Sequence, residues 1–483
     1  MRASYWRGVS LVFSLLLPLA AQGQQSLRDL SHRTQSTQTG MPGMQMPMPY
    51  QQPPSPLPPI GEPPEPDSGP VYRLAELEAK ALQANPTLSE SQANVRSAQA
   101  RRQQAGLWPN PTVGYLGDEI AGGAGINGGR QGGFVEQTIV LGRKLYLAQQ
   151  VAGSDAKIAE LEKEEQRYRV QNAVRSAYFQ TLAAQELVAL ADRYVKLSTD
   201  ALETARRLRN IGARDESEVA MAEIELERAR LAANVQRTHL QEEWENLRSV
   251  IGDPSLPAGQ LTEKLDADLP RSDSRQLVSA LLAESPAIKM ANQDVARSEA
   301  AALAARRQPV PDLQIRAGLE QNLETNDLTG KPYGLEGFAE VRVQLPIFNR
   351  NQGNVAAANA ELERSRGETR RVELQLRQQA AIAVEQYQAA QETVDSYQRE
   401  ILPRTQRLYD MQLEAWGRMA LAYPQVLLAQ QNLYATQAEY IHALQQLRTS
   451  AVALSGFLLT DGLAAPALGP SQLGDRRVLE ERR

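Results

Sequence analysis

The chain has 483 residues, with 52 Lys and Arg against 57 Asp and Glu, three His and no Cys. The slight acidic excess argues against a nucleic-acid-binding protein, which usually presents a basic surface. The absence of cysteine excludes disulfides, thiolate metal sites, cysteine nucleophiles and a lipidated N-terminal cysteine.

Residues 1–23 have the pattern of a secretory signal peptide. Arg2 and Arg7 flank the start of an apolar stretch at residues 9–20, and residues 21–23 form a small-x-small cleavage site. We therefore expect an exported protein. No later segment has 18 consecutive apolar residues, so the sequence predicts a mature chain that is soluble outside the cytoplasm or crosses a membrane as a β-barrel.

Residues 24–70 are polar and rich in proline, which predicts a disordered or polyproline arm. Within it, GMPGMQMPMPY places Met41, Met44, Met46 and Met48 close together. Thioethers are soft ligands that suit Cu(I) or Ag(I), so the arm is a candidate metal site. The alternative is a low-complexity tether with no ligand, and the sequence leaves both open.

The rest of the chain contains an internal duplication. Four positions in the first copy recur in the second at a constant offset of 200: Pro86, Val95, Pro109 and Pro111 correspond to Pro286, Val295, Pro309 and Pro311. The domain organisation that follows is a first repeat, a linker, a second repeat and a C-terminal tail, at residues 71–251, 252–275, 276–459 and 460–483.

Each repeat is predicted to run helix, strand, loop, strand, long helix, turn, helix. The strands are expected at residues 111–117 and 133–141 in the first copy and at 312–320 and 337–345 in the second. The clearest alternation places four apolar side chains on one face of a strand, at Leu313, Ile315, Ala317 and Leu319.

Two coiled-coil hairpins, at residues 143–251 and 353–459, follow the strand pairs. Apolar and small residues recur there at alternating spacings of four and three, which is typical of helix seams. Gly212 and Gly417 mark the turns between the helices. Hairpins of this length indicate a mainly α protein with an extended helical region.

Four strands of about nine residues are long enough to cross a bilayer when tilted. They cannot close a barrel alone, and an open sheet edge is not tolerated in lipid. The chain must therefore stay out of membranes or share strands with copies of itself. Aromatic residues near the strand ends fit interfacial girdles and include Tyr115, Phe134, Tyr333 and Phe338.

The duplicated plan, together with GLWPNPTVGY and LPIFNRNQG, resembles the TolC family of outer-membrane efflux proteins, in particular its heavy-metal, CzcC-like branch. The resemblance covers residues 71–459. It implies a homotrimer in which each chain gives four strands to a twelve-stranded transmembrane β-barrel, with a periplasmic α-helical tunnel below. The implied partners are a periplasmic adaptor (membrane fusion) protein, an inner-membrane RND pump and outer-membrane lipid.

The same resemblance implies a passive exit duct for heavy-metal cations (Co/Zn/Cd or Cu/Ag), without enzymatic activity or cofactor. An alternative from the residues alone is a soluble periplasmic coiled-coil adaptor or scaffold protein. Such a protein would usually have one helical hairpin and no duplicated strand pairs.

The resemblance also assigns site residues. The adaptor-docking tip would comprise Asn210, Ile211, Gly212, Ala213, Arg214, Asp215, Gly417, Arg418, Met419, Ala420, Leu421 and Ala422. Gln425 and Leu428 occupy the entrance positions at which well-known members carry acidic residues, so an acidic ring is not expected and closure by hydrogen bonds or apolar contact is the hypothesis. Pro346, Phe348 and Trp108 would mark the joint between barrel and tunnel.

Overall fold

The computed structural model describes residues 69–118, 129–212, 215–267, 274–325, 328, 330–418 and 420–466. The signal peptide, nearly all of the Pro-rich arm with Met41, Met44, Met46 and Met48, and most of the C-terminal tail lie outside the described residues. So do Ala213, Arg214 and Met419.

The described elements repeat in the same order in each half of the chain. The first half contains β1 (Val71–Tyr72), α1 (Leu74–Ala84), α2 (Pro86–Ala105), β2 (Thr112–Asp118), β3 (Arg130–Ile139), α3 (Lys144–Asn210) and α4 (Glu216–Ile251). The second contains β4 (Gln260–Leu261), α5 (Ser274–Glu284), α6 (Pro286–Arg307), β5 (Leu313–Thr325), β6 (Pro332–Val343), α7 (Gln352–Ser396), a π-helical turn (Tyr397–Ile401), α8 (Leu402–Gly417) and α9 (Tyr423–Ser455).

The two strand pairs form one antiparallel sheet in the order β2-β3-β5-β6. The central pairing joins the halves, with Val135 opposite Ala317 and Glu136 opposite Arg316. The sheet therefore has β2 and β6 as its edges, each from a different copy of the repeat.

The second-copy strands extend further toward the connecting loop than the sequence pattern predicted. β5 continues to Thr325 and β6 begins at Pro332, instead of ending at 320 and beginning at 337. The polar stretches QNLET and PYGLE hide a continued alternation, because Leu323 and Leu335 keep the parity of the apolar face. At the other end β6 stops at Val343, two residues short of the predicted 345, because Ile347 donates its N–H to the carbonyl of Leu345 in a tight turn.

In the first copy β2 and β3 are displaced from the predicted 111–117 and 133–141. β2 runs one residue further, and β3 begins at Arg130 and ends at Ile139. Its end is set by Gly142 and Arg143, which both have positive φ (71° and 60°) and turn the chain into α3.

The long helices pack through the predicted seams. α3 has 67 residues, or roughly 100 Å at 1.5 Å per residue. Its buried face includes Val170, Val174, Ala177 and Ala184, and α1, α4 and α9 are among the helices that pack on α3. Within the described residues, none of the helices is both long and apolar enough to span a bilayer.

The predicted long helix of the second copy is interrupted, unlike α3. The backbone widens into a π turn at Tyr397–Ile401, where the N–H of Leu402 bonds to the carbonyl of Tyr397. Pro403 explains the break, because it has no N–H to donate and its ring crowds the preceding turn. The long helix expected from about residue 353 is therefore regular as far as Ser396 and continues through the π turn into α8.

The linker between the repeats is packed in its described part. Leu256, Leu261 and Leu265 are buried in the main core, and β4 pairs in parallel with β1 at the start of the first repeat. Gln185 of α3 fixes the segment by donating to the carbonyl of Gly259 at 2.8 Å. The described part of the linker thus packs beside the middle of α3.

Candidate functional site

One face of the four-stranded sheet is apolar and exposed. On it, side chains of the two edge strands and of β3 and β5 leave half or more of their surface uncovered: Val113, Tyr115, Val135, Leu319, Leu335 and Val341. A sheet in water normally turns its apolar face to a core. An exposed apolar face is the reverse of that arrangement, and it is what a sheet needs if this face contacts lipid.

The opposite face carries the charges. In register across three strands lie Glu136, Arg316 and Glu340, and Arg342 pairs with Glu340 at 2.8 Å. Further along the strands, Asn322 donates to Glu336 at 3.2 Å. The sheet is therefore amphipathic, with one apolar and one charged face.

Phe134 and Phe338 belong to the charged face, so placing them in interfacial girdles was wrong. They share the parity of Glu136 and Glu340 along their strands. Each ring lies over a glycine of the neighbouring strand: a Cβ added to Gly114 or Gly318 would come within 2.7 Å of the ring. Tyr115 and Tyr333, by contrast, lie exposed on the apolar face.

The joint between β6 and α7 is a tight, solvent-exposed segment. Phe348 is 91% exposed and follows Pro346. Asn351, with φ 62°, starts α7 and donates from its side-chain amide to the carbonyl of Ala305 at 2.8 Å, which ties the joint to α6. Trp108, 58% exposed, lies in the segment between α2 and β2. All three residues assigned to the joint thus lie between a helix and a strand.

The corresponding joint of the first copy uses different contacts. Asp312, just before β5, accepts hydrogen bonds from the N–H of Leu141 at 3.0 Å and from Lys144 Nζ at 2.9 Å. A carboxylate therefore ties the start of α3 to the residue before β5. In the second joint an asparagine, Asn351, has the corresponding role.

At the first helix turn, the described residues Asn210, Ile211, Gly212 and Asp215 are exposed. Ile211 is 72% exposed, and Gly212 has φ 72°, a conformation that favours glycine. Asp215 occupies the N-cap position of α4, but its side chain makes no capping hydrogen bond. An ion pair between Arg209 and Glu216 (2.9 Å) closes the turn instead.

The second turn follows Gly417, the last residue of α8. Arg418 pairs with Glu414, and the N–H of Ala420 bonds to the carbonyl of Ala415 at 2.9 Å. Ala422 caps α9, and its N–H donates to Gln425 Oε1 at 3.2 Å. The turn is therefore closed by local bonds.

Gln425 and Leu428, assigned to the entrance, lie on one exposed side of α9. Leu428 is 59% exposed, whereas Val426 and Gln430 on the other side are buried. The oxygen of Gln425 already caps its own helix, so only its amide N–H groups are available to a neighbouring chain.

The sequence did not predict a cluster of aromatic and polar residues that joins the two hairpins close to their turns. Trp416 and Tyr423 pack 5.4 Å apart, and burial, followed by the charge of Glu225, raises the pKa of Tyr423 to about 12. Glu225 itself is buried, accepting from Tyr194 and, at 2.9 Å, from Gln431. The only signal was that these polar and aromatic residues interrupt apolar seams.

No metal centre is apparent in the described part of the chain, where no group of three or more His, Cys, Asp or Glu side chains could hold an ion. The chemistry available is that of surfaces: an apolar face, a charged face, two helix turns and two joints.

A four-stranded sheet with an exposed apolar face, carried by two long helical hairpins, is the arrangement expected of an outer-membrane channel subunit. The chain belongs to the outer membrane efflux protein family, whose model matches residues 77–253 and 277–458. The resemblance to the TolC family is thereby confirmed, and the family comprises efflux proteins, not enzymes.

One relative and two solved structures are similar to the chain over most of its length. It is 23% identical over 391 residues, covering 81% of this chain and 90% of the relative, to the cobalt-zinc-cadmium resistance protein CzcC of Cupriavidus metallidurans. The fold matches crystal structures of CusC (TM-score 0.67, 17% identity, 80% of this chain and 92% of that one) and of VceC from Vibrio cholerae (0.64, 17%, 80% and 96%).

Proposed function

We propose that the protein is the outer-membrane exit duct of a tripartite efflux system and that it exports heavy-metal cations. The observation that carries the proposal is the inverted sheet, with its apolar face exposed and its charged face opposite. In a lipid bilayer the apolar face contacts acyl chains and the charged face lines an aqueous lumen.

The sheet edges support a trimer. β2 and β6 have a strand neighbour on one side only within the described residues, and unpaired backbone groups are costly in lipid. Pairing β6 of one protomer with β2 of the next satisfies both edges. Three copies of four strands then give a closed twelve-stranded barrel, and β5 with 13 residues spans roughly 40 Å, enough for a tilted crossing.

The helices support the same assembly. α4 carries an exposed apolar stripe at Met221, Ile224, Leu231 and Val235, and a second stripe on α7 and α8 comprises Leu374, Ile382, Leu408 and Met411. The α4 spacings of three, seven and four residues are those of a helix seam and fit a contact with a neighbouring chain. In a trimer each α4 stripe packs on the α7–α8 stripe of the next protomer, which closes a helical tunnel.

The helix turns would form the far end of that tunnel. Asn210–Asp215 and Gly417–Ala422 would dock a periplasmic adaptor, which links the duct to an inner-membrane RND pump. Gln425 and Leu428 would border the entrance. Since neither is acidic, the entrance would close through amide hydrogen bonds and apolar contact.

The substrate class is inferred from the relative. CzcC is named for cobalt, zinc and cadmium resistance. A mildly acidic chain suits cations. The methionines of the N-terminal arm, if they bind Cu(I) or Ag(I), would extend the substrate range to soft monovalent ions.

Deleting the gene and measuring tolerance to Zn, Co, Cd, Ni, Cu and Ag tests the substrate. We expect sensitivity to at least one divalent metal, restored by the full-length chain. A complementing variant with Met41, Met44, Met46 and Met48 changed to Leu separates the arm from the duct: lost copper or silver tolerance alone assigns those ions to the arm. Unchanged tolerance to all six metals in the deletion strain contradicts a metal substrate.

Family membership favours this function over a soluble periplasmic adaptor or scaffold. The duplicated strand pairs, joined in one sheet, also argue against an adaptor with one hairpin.

A further inference from the structure

Arg316 occupies the middle of the charged face without a carboxylate partner. Glu136 and Glu340 lie directly opposite it on the two neighbouring strands. Side chains in such positions are normally close enough for opposite charges to pair. Within the described residues, however, Arg316 forms no ion pair, and Glu340 binds Arg342 instead.

The Arg316 guanidinium stacks on aromatic rings. Its central carbon lies 3.8 Å from the ring centroid of Phe134 and 5.7 Å from that of Phe338. Its Nε is buried and has no hydrogen-bond acceptor. Stacking is favourable for a weakly hydrated planar cation, but it does not neutralise the charge as a carboxylate would.

Two glycines keep this arrangement in place. Gly114 and Gly318 leave the space in which the rings of Phe134 and Phe338 lie flat on the sheet. The rings therefore provide a fixed surface on which the guanidinium rests. Without Phe134 the side chain would be free to turn toward Glu136.

We propose that Arg316 is a selectivity-determining residue of the duct: a cation outside any ion pair that Phe134 and Phe338 hold in the lumen wall. The inference rests on the proposed function, in which the charged face lines the lumen, and a trimer then carries three such guanidinium groups at one level. Each guanidinium attracts small oxyanions such as carboxylates, whose geometry matches the guanidinium fork.

The absence of cysteine in the chain permits a direct test. A single thiol is introduced by Gln314→Cys, two residues from Arg316 on the same face, in the full chain in outer membranes. Its rates of reaction with an anionic (sulfonatoethyl) and a cationic (trimethylammonioethyl) methanethiosulfonate are compared. Ile315→Cys, on the apolar face, reports whether the faces are assigned correctly.

When Arg316→Gln is combined with Gln314→Cys, the ratio of the anionic to the cationic reaction rate should fall about fivefold to tenfold. This is the effect expected from removing one charge at roughly 7 Å from the thiol. Lys331→Gln removes the same charge from an exposed position before β6 and should change the ratio less than about twofold, because exposed charges at a distance are screened. Phe134→Leu should also lower the ratio, although it changes no charge, because Arg316 can then pair with Glu136.

An unchanged ratio in Arg316→Gln, with Gln314→Cys reacting faster than Ile315→Cys, overturns the inference and leaves the duct intact. If Ile315→Cys reacts as fast as Gln314→Cys, the apolar face is not in lipid. That result overturns the proposed function and, with it, the role of Arg316.

Discussion

Gln430 of α9 donates a hydrogen bond to the hydroxyl of Ser198 on α3 at 3.0 Å, and both side chains are almost completely buried. The two residues belong to different hairpins, 232 positions apart in the chain. The bond lies at a seam position, which an apolar residue usually occupies. It therefore specifies how the second hairpin aligns with the first.

Replacing Gln430 with Leu should loosen this contact. The change leaves the buried Ser198 hydroxyl without the Gln430 donor, a loss of about 1–3 kcal/mol. Hydrogen exchange of the α9 amides should be faster by the corresponding factor. Because Ser198→Ala removes the other partner, the double variant should lose less than the sum of the single variants. Strictly additive losses would contradict the coupling.

Replacing Gly318 with Ala should impair assembly of the sheet. The added Cβ would lie 2.7 Å from the Phe338 ring and even closer to the carbonyl of Gly133. Gly337→Ala is the matched control, since its Cβ would find only an ordinary contact at 3.5 Å with Leu319. We expect fewer heat-resistant trimers on unheated gels for Gly318→Ala alone. Equal trimer yields for both variants would show that the Phe338 ring does not require glycine at position 318.

Glu162 on α3 should make stability depend on pH. Burial, followed by the charges of Glu165 and Asp155, raises the pKa of Glu162 to about 7 from 4.5. Since the folded-state pKa exceeds the unfolded one, the stabilisation is complete below pH 4.5 and is lost as pH rises through about 7. The loss reaches at most ~3 kcal/mol.

Glu162→Gln mimics the protonated carboxyl and isolates this effect. The thermal midpoint of the variant relative to the unchanged protein should rise between about pH 4 and pH 8. A constant difference across that interval would show that Glu162 does not titrate there.

Asp312→Ala should weaken the first joint. It removes the acceptor for the Leu141 N–H and leaves the Lys144 ammonium, whose side chain is only 13% exposed, without its partner. We expect a loss of about 1–3 kcal/mol in unfolding free energy, read as a lower thermal midpoint. Glu361→Ala, which breaks an exposed pair with Arg364, should cost no more than about 0.5 kcal/mol. Equal losses of unfolding free energy for the two variants would show that Asp312 does not stabilise the joint.

The sequence predicts the sheet and hairpins because their periodicities are local. The alternation from Leu313 to Leu319 and the seam from Val170 to Ala184 follow from strand and helix geometry alone. The strand ends could not be located, since polar residues in QNLET and PYGLE conceal the parity of Leu323 and Leu335. The π turn could have been anticipated from Pro403, which is incompatible with a regular helix interior.

The contacts of the site were less predictable, because they join residues far apart in the chain. The positions of Phe134 and Phe338 follow from strand parity, yet their role depends on which glycines lie opposite, and that requires the register. Arg316 has two carboxylates beside it, an arrangement that normally favours an ion pair. Only the positions of the rings show that it stacks instead.

The most direct measurement of the central claim is cell fractionation followed by gel electrophoresis of heated and unheated samples. For an outer-membrane duct we expect recovery in the outer-membrane fraction, with a trimer band that converts to a 53.2 kDa or slightly smaller monomer on heating. Recovery only in the soluble periplasmic fraction, as a species without a heat-sensitive trimer band, would contradict it.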